Sequence, residues 1–414
     1  MDNKYKVEKY RWMVLLSMLP ILAMTQVCWL TFAPITSLAV DFYKVTPLQV
    51  AFLSMIYMIV YIILALPASW LVDTKGFKAS VVTGAVLTAV FGMIRGIFSS
   101  NFMIVTIAQI GLAAGQPFLV NSTTKAAARW FPVDERATAD GLASMAGYLG
   151  MIVTLILTPF LVGRYGIGKV MLIYGYASIA CAAVFIVFAR ERPAIPPGPG
   201  EELVHKLNIK DMKATIRKKD FLYLMIVFFV VMGIVNAIMT WIEDILKPRG
   251  ITPEGAGVIG GTMVAAGIIG AVILPMISDK TKRRNKMLTW PILVAMIGLA
   301  GITITSDYLI LLVSAAVMGF FVMGLGPIAF QYGAEVAYPV PEGTSYGILM
   351  LMGQISGILF IYVMDALRSP STGAMTISLF IFIILMFASF FLTVRLKESN
   401  LIKNAAISDK KSSD

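Results

Sequence analysis

Residues 190–220 read RERPAIPPGPGEELVHKLNIKDMKATIRKKD, the longest break in an otherwise apolar chain. The first part is dense in Pro and Gly, which predicts an extended linker. The second part, 207–219, alternates apolar and basic residues and predicts a helix lying on an anionic inner leaflet. Outward from this break the chain is a series of apolar runs, and a membrane span needs about 20 such residues. Runs fall at 12–42, 47–72, 79–99, 101–128, 136–162 and 168–189 before it, and at 221–246, 253–278, 287–305, 308–337, 343–367 and 374–395 after it. Twelve spans, six and six, predict an all-α membrane protein with domains at 1–190 and 221–396, a linker at 191–220 and a tail at 397–414.

Composition agrees. The 414 residues are 58% hydrophobic and 14% charged, with mean hydropathy +0.83. Soluble domains carry about a quarter charged residues, so a soluble multi-domain protein is excluded. The first run follows a charged leader and is too long for a signal core, so it is expected to stay as a helix. The net charge of +11 has a topological origin. With the N-terminus inside, cytoplasmic segments and their flanks hold 27 Lys and Arg, external segments and their flanks hold six, and the remaining one, Arg95, lies deep in a span. This asymmetry orients both termini to the cytoplasm and removes the case for nucleic-acid binding. Cys28 and Cys181 lie in different spans and read as small apolar packers, not as a disulfide.

The halves repeat. SWLVDTKGFK (69–78) follows the second span and PMISDKTKRR (275–284) the eighth, which puts Asp73 and Asp279 206 residues apart. WFPVDERATADG (130–141) precedes the fifth span and AYPVPEGTSYG (337–347) the eleventh, with Gly141 and Gly347 again 206 apart. A shared offset at two places predicts duplicated six-helix bundles. Twelve spans, a central loop and an acid-plus-basic loop after spans two and eight resemble the major facilitator superfamily over the whole chain. The loop motif departs in detail, with Ser69 and Pro275 where glycine is usual and Thr74 where a base is usual.

A closer resemblance lies in YRWMVLLS, WLTFAPI, DFYKVTPLQVAFLSMIYMIVYIILALPASWLVDTKG, GQPFLVNSTTKAAARWF and GTSYGILMLMGQISGILF. These stretches resemble the feline leukaemia virus subgroup C receptor family, whose members are associated with choline, ethanolamine and heme transport. Similarity is strong through spans one to five and in span eleven, and weaker across spans seven to ten.

A carrier with two pseudo-symmetric halves binds its substrate near mid-membrane. Side chains at that depth that lipid would not tolerate are therefore candidates. They are Trp29, Gln116, Tyr148, Asn236 and Gln354, with Gln354 the repeat mate of Tyr148 and Asn236 one residue from the mate of Trp29. No Asp or Glu shares that depth, and the one histidine, His205, is in the central loop. Facilitated diffusion is the expectation, because proton coupling usually needs an intramembrane acid or histidine. A cation without a buried counter-ion can be held on a tryptophan face by its quadrupole, worth roughly 0.5–2 kcal/mol. Glutamine amides can take a hydroxyl or face polarised methyl groups. The family resemblance implies the same residues: a helix-1 tryptophan and glutamines of helices 4 and 11 line its choline site, at Trp29, Gln116 and Gln354 here. The family's helix-7 tyrosine falls on Thr240, with Met239 and Trp241 beside it, and Trp241 is the candidate second wall.

Gating candidates are Asp73, Arg129 and Asp279. By superfamily analogy Asp73 should meet the start of helix 11, near Thr344 and Ser345, and Arg129 is its candidate ionic partner. Glycines 141, 147, 150, 347, 353 and 357 are expected at close helix approaches. Arg95 is expected to snorkel outward; if it faced the cavity, an organic anion would replace the amine. Glu243 and Asp244, late in helix 7, could draw cations to the outer mouth. Heme lacks a midplane histidine ligand, an enzyme lacks a nucleophile–base pair in the bilayer, and a non-transporting receptor would not need polar sets in both halves. The expectation is a monomeric uniporter of a choline-like amine working by alternating access, with a small-molecule substrate and the bilayer as partners and no cofactor, in a prokaryotic cytoplasmic membrane.

Overall fold

The computed structural model describes residues 8–194, 197, 213, 215–338, 340 and 342–398, and the described residues contain helices and no strand. Most of the surface helix expected over 207–219, and the tail beyond 398, lie outside the described residues. Among the described residues, eleven helices are long and apolar enough to cross a membrane. One of them, α7 (Arg136–Phe188), is interrupted at Gly166, where φ is 79° and ψ 161°. Its two segments make the count twelve, as the apolar runs predict.

The chain forms two compact units: Met1–Val204 with Thr240–Glu243 and Ala256–Val258, and the remainder. In the first unit the helices are α1 (Tyr10–Leu30), α2 (Thr36–Tyr43), α3 (Pro47–Lys75), α4 (Phe77–Ile97), α5 (Phe102–Val120), α6 (Thr123–Trp130) and α7. Sequence sets their starts. Thr46 and Gln49 form a reciprocal capping box at α3 with Pro47 at the first helical position. Asn101 accepts from Met103 and Ile104 N–H at α5. Met18, Ile21, Leu53, Tyr57, Val81, Leu112, Val170 and Phe185 share one buried core. Because lipid tails are as apolar as these side chains, the helices are held by close packing and interhelical bonds. A Cβ on Gly150 would collide with the carbonyl of Ala23, so α7 crosses the α1 backbone directly there. Gly141 and Gly347 have nothing within 4 Å of a Cβ position, so the close approach expected at those two sites is not made.

The second unit continues with α8 (Lys219–Thr240), α9 (Ile242–Leu246), α10 (Pro253–Thr281), α11 (Arg284–Ile304), α12 (Tyr308–Ala337), α13 (Glu342–Ala366) and α14 (Thr376–Val394). Basic side chains close its helix carbonyl ends. Lys218 Nζ donates to Ala337 O at 2.9 Å and Val336 O at 3.1 Å, at the end of α12. Arg249 Nη2 donates to Thr303 O at 3.0 Å and Nη1 to Thr305 O at 2.8 Å, at the end of α11.

One device recurs inside each unit and was not anticipated. Glu191 accepts the Lys78 N–H at 2.7 Å at the start of α4 and pairs with Arg129. Glu398 accepts the Arg284 and Asn285 N–H groups at 3.1 and 3.0 Å at the start of α11. Each acid follows the last span of its own half and offsets the positive end of that half's third helix. Burial pushes the Glu398 carboxyl above the usual carboxylate range; its two backbone bonds and the Arg284 charge oppose the shift, and Glu335 adds to it. A group with a raised folded-state pKa contributes stability that is present at low pH and lost as pH rises through that pKa. Relative to Glu398→Gln, the wild type should therefore gain thermal stability as pH falls from neutral to about 5. Melting curves of the purified pair across that range check this, and parallel curves would remove the linkage.

Candidate functional site

The first apolar span is broken. Pro34 has no N–H to give the Leu30 carbonyl, so α1 stops at Leu30. A 3₁₀ turn, Ala33–Ile35, leads to α2, with Ile35 outside the helical region at φ −133°, ψ 29°. A helix end inside an apolar unit leaves carbonyls that need donors. Four other helices supply them. Thr154 of α7 donates to Val27 O at 3.3 Å, alongside Thr31 at 2.6 Å. Arg95 of α4 and Gln109 of α5 donate to Cys28 O at 3.1 and 3.2 Å. Ser54 of α3 donates to Trp29 O at 3.4 Å.

Arg95 does not snorkel; it is 0% exposed. Its Nη1 also donates to Gln109 Oε1 at 3.0 Å, and Nη2 reaches Thr31 Oγ1 at 3.5 Å and Cys28 Sγ at 3.6 Å. The Phe32 ring centroid is 6.0 Å from Arg95 Cζ. No described carboxylate pairs with Arg95, and its Nε has no hydrogen-bond partner. The outward reading failed because the helix-1 carbonyls offer bonds that the head group would otherwise seek in water. Cys28 is correspondingly more than a packer, with Sγ 3.9 Å from Ser178 Oγ. A further polar chain runs from Thr154 to Thr158 at 3.1 Å and on to the Tyr174 hydroxyl at 2.7 Å.

Trp29 lies in the last turn of α1, just before this break. It is half-buried, and its indole N–H donates to Ser54 O at 3.2 Å, so two reciprocal bonds fix the ring against α3. Gln116 on α5 and Tyr148 on α7 are half-buried in the same unit. Trp241, clustered with the first unit, is 0% exposed at the turn between α8 and α9, and Thr240 beside it is also buried. In the second unit Asn236 Nδ2 donates to Gly353 O at 3.2 Å, the carbonyl next to half-buried Gln354. The acids late in the seventh span are both engaged. Glu243 is buried and accepts from the N–H and hydroxyl of Ser37 at the start of α2. Asp244 accepts from Arg368 at 2.8 Å. Neither is a solvent-facing lure for cations in this structure.

Asp73 pairs with Lys125 Nζ at 2.9 Å, and Arg129, one turn further along α6, binds Glu191. The sequence offered Arg129 as the partner of Asp73; Lys125 is the partner the structure resolves. Asp279 pairs with Arg284, whose Nε also binds Glu335 at 3.2 Å. Gln109, Ser54 and Glu191 were missed. Gln109 precedes Gln116 by seven residues, two turns along one helix face, and that spacing was the available signal. Among the described residues no group of three His, Cys, Asp or Glu side chains is placed to hold a metal.

The profile of the Major Facilitator Superfamily matches residues 11–361. An uncharacterized MFS-type transporter, C09D4.1 of Caenorhabditis elegans, is 30% identical over 87% of this chain and 64% of its own length. The chain thus spans just under two thirds of that relative. The choline/ethanolamine transporter FLVCR1 of Mus musculus is 27% identical over 86% of this chain and 70% of its own. FLVCR2 of Homo sapiens, of the same description, is 27% identical over 86% and 71%. Among solved structures, a bacterial homolog of the human lysosomal transporter Spinster, inward-facing and unoccupied, superposes with TM-score 0.73 over 94% of this chain and 96% of its own. At 15% identity that likeness shows the fold alone.

Proposed function

The chain belongs to the major facilitator superfamily, and from that premise we propose that it carries a choline-like or other small amine cation by facilitated diffusion. It is a multi-pass membrane transporter, not an enzyme. The observation that carries the substrate reading is Trp29, an indole fixed by Ser54 beside a helix end whose Val27, Cys28 and Trp29 carbonyls are bonded. With its N–H spent on Ser54 O, the indole can recognise a polar ligand only through its π face, and a quaternary ammonium is the group that a π face attracts. The named choline/ethanolamine transporters among the relatives support the same class.

Gln116 and Tyr148 in the first unit, and Asn236 and Gln354 in the second, are the further proposed contacts. Trp241 is proposed with them in place of the family's tyrosine, on condition that a ligand-bound form uncovers it. The organic-anion alternative depended on a free intramembrane cation, and Arg95 is spent on the Cys28 carbonyl and Gln109. Coupling to protons would draw on Glu243 or Asp244, the buried acids of α9, of which Glu243 accepts from Ser37 at the start of α2. On the Lys/Arg asymmetry we propose that both termini face the cytoplasm, in a monomeric carrier of the cytoplasmic membrane. Asp73, Arg129 and Asp279 are the proposed gating residues, acting on the conformational equilibrium and not on the ligand.

Trp29→Phe should weaken choline binding modestly, because a smaller aromatic face remains. Trp29→Leu should cost roughly 1–2 kcal/mol, about tenfold in affinity or somewhat more. Isothermal titration of the folded variants tests this, and equal affinities for wild type and the Leu variant end the cation–π reading. Uptake of radiolabelled choline into proteoliposomes should run down its own gradient with no pH or sodium gradient. Strict dependence on a proton gradient would turn attention to Glu243. Asp73→Asn should slow uptake while equilibrium binding stays within about a few-fold, as expected of a residue that biases states; unchanged uptake removes Asp73 from gating.

A further inference from the structure

We propose that Arg95 is a positioning residue for the Trp29 wall: with Gln109 it holds the carbonyl end of α1 at Cys28, the residue from which the indole-bearing backbone continues. The inference rests on the proposed role of Trp29.

Three bonds close a triangle. Arg95 Nη1 reaches Cys28 O at 3.1 Å and Gln109 Oε1 at 3.0 Å, while Gln109 Nε2 reaches Cys28 O at 3.2 Å. Each end of the Gln109 amide is therefore committed, and its orientation is dictated by the guanidinium. A buried guanidinium is ordinarily met by a carboxylate, and none of the described carboxylates pairs with this one. What faces it is the negative end of a 21-residue helix, which carries about half an elementary charge in its last turn. Arg95 is thus matched to a helix dipole, and only while α1 ends where it does. Moving the break by one residue would take the Cys28 carbonyl from the guanidinium and turn Trp29 away from Ser54. The planar fork suits this task better than an ammonium, because one nitrogen serves two acceptors while the other reaches Thr31 and the Cys28 sulfur.

Cys28 gives a readout that needs no ligand. It is fully buried with its thiol against Arg95 and Ser178. In a full-length Cys181→Ala background in nanodiscs, N-ethylmaleimide can label only Cys28. Arg95→Met should be labelled about tenfold faster than its parent, the scale of losing a charged hydrogen bond that holds the site closed. Loss of a neighbouring cation by itself makes a thiol less reactive, so a faster rate reports access. The second arm is binding of choline and of its uncharged isostere, in which carbon replaces the ammonium nitrogen. If Arg95 positions the wall, the Met variant loses affinity for the isostere by about tenfold as well, and Arg95→Lys restores most of it and most of the protection of Cys28. Labelling of the Met variant at the parental rate overturns the inference. So does an isostere affinity that stays constant while choline binding alone moves, since that is the signature of charge acting through space. If the parent binds neither ligand, the Trp29 reading fails, and the labelling arm alone decides whether Arg95 clamps α1. Should the Met variant not survive purification, Gln109→Leu replaces it. That change removes one donor to the same carbonyl and should speed labelling about threefold; the parental rate there overturns the inference equally.

Discussion

A helix that ends inside an apolar unit must find partners for its last carbonyls and its first N–H groups, and most of the polar chemistry of this protein follows from that demand. At the end of α1 the donors are Arg95, Gln109, Ser54 and Thr154, one from each of four helices. At the ends of α11 and α12 they are Arg249 and Lys218. Acids meet the starts of three helices: Glu191 at α4, Glu398 at α11 and Glu243 at α2. Where these partners are charged, the sign follows the dipole, cations at carbonyl ends and carboxylates at amide ends. These groups are structural before they are anything else, and each is withdrawn from the list of side chains free to meet a substrate.

That withdrawal narrows the functional reading. Arg95, Glu243 and Asp244 are the charges a sequence reader would offer first to a substrate, and all three are engaged. The proposed contacts that remain are neutral: the Trp29 ring, the amides of Gln116, Asn236 and Gln354, and the Tyr148 ring. A neutral aromatic surface discriminates by shape and quadrupole, which favours a methylated ammonium over a carboxylate or a phosphate. Selectivity built this way needs a rigid wall, since a ring free to turn gains little from a weak attraction. Fixing Trp29 by Ser54 at both its N–H and its carbonyl supplies that rigidity.

The spans, the duplication and the loop acids were legible because each is carried by a pattern along the chain: run length, a 206-residue offset, and charge counts in loops. Pro34 inside the first run was legible in principle as a break, through its missing N–H. The destination of Arg95 was not. A span records which residues share a face but not which neighbour that face meets, and the outward path and the Cys28 carbonyl lie within reach of the same long side chain. Lys125 and Arg129 pose the same problem in small. They are one turn apart on α6, and the sequence does not say which of two loop acids each will take; the structure gives Lys125 to Asp73 and Arg129 to Glu191. Trp241 was legible as an aromatic near the family's tyrosine, but its complete burial is a property of packing around a turn.

The repeat separates what the membrane imposes on both halves from what one half adds. Glu191 and Glu398 perform the same cap on the third helix of each half, as they must if both helices begin among buried groups. Carrying the donors of the α1 clamp forward by the same 206 residues gives a different result. Arg95 maps to Gly301, Gln109 to Ala315, Ser54 to Gly260 and Thr154 to Phe360, and Trp29 itself maps to Val235. None of the four mates can donate a side-chain hydrogen bond. If the clamp served only to tolerate a broken first helix, a duplicated scaffold would be expected to need it twice. These four positions carry donors only in the half that carries the tryptophan, and all four donors fall on the three carbonyls from Val27 to Trp29. The scaffold is therefore symmetric where hydrocarbon sets the terms, and asymmetric at the turn where the proposed substrate wall is mounted.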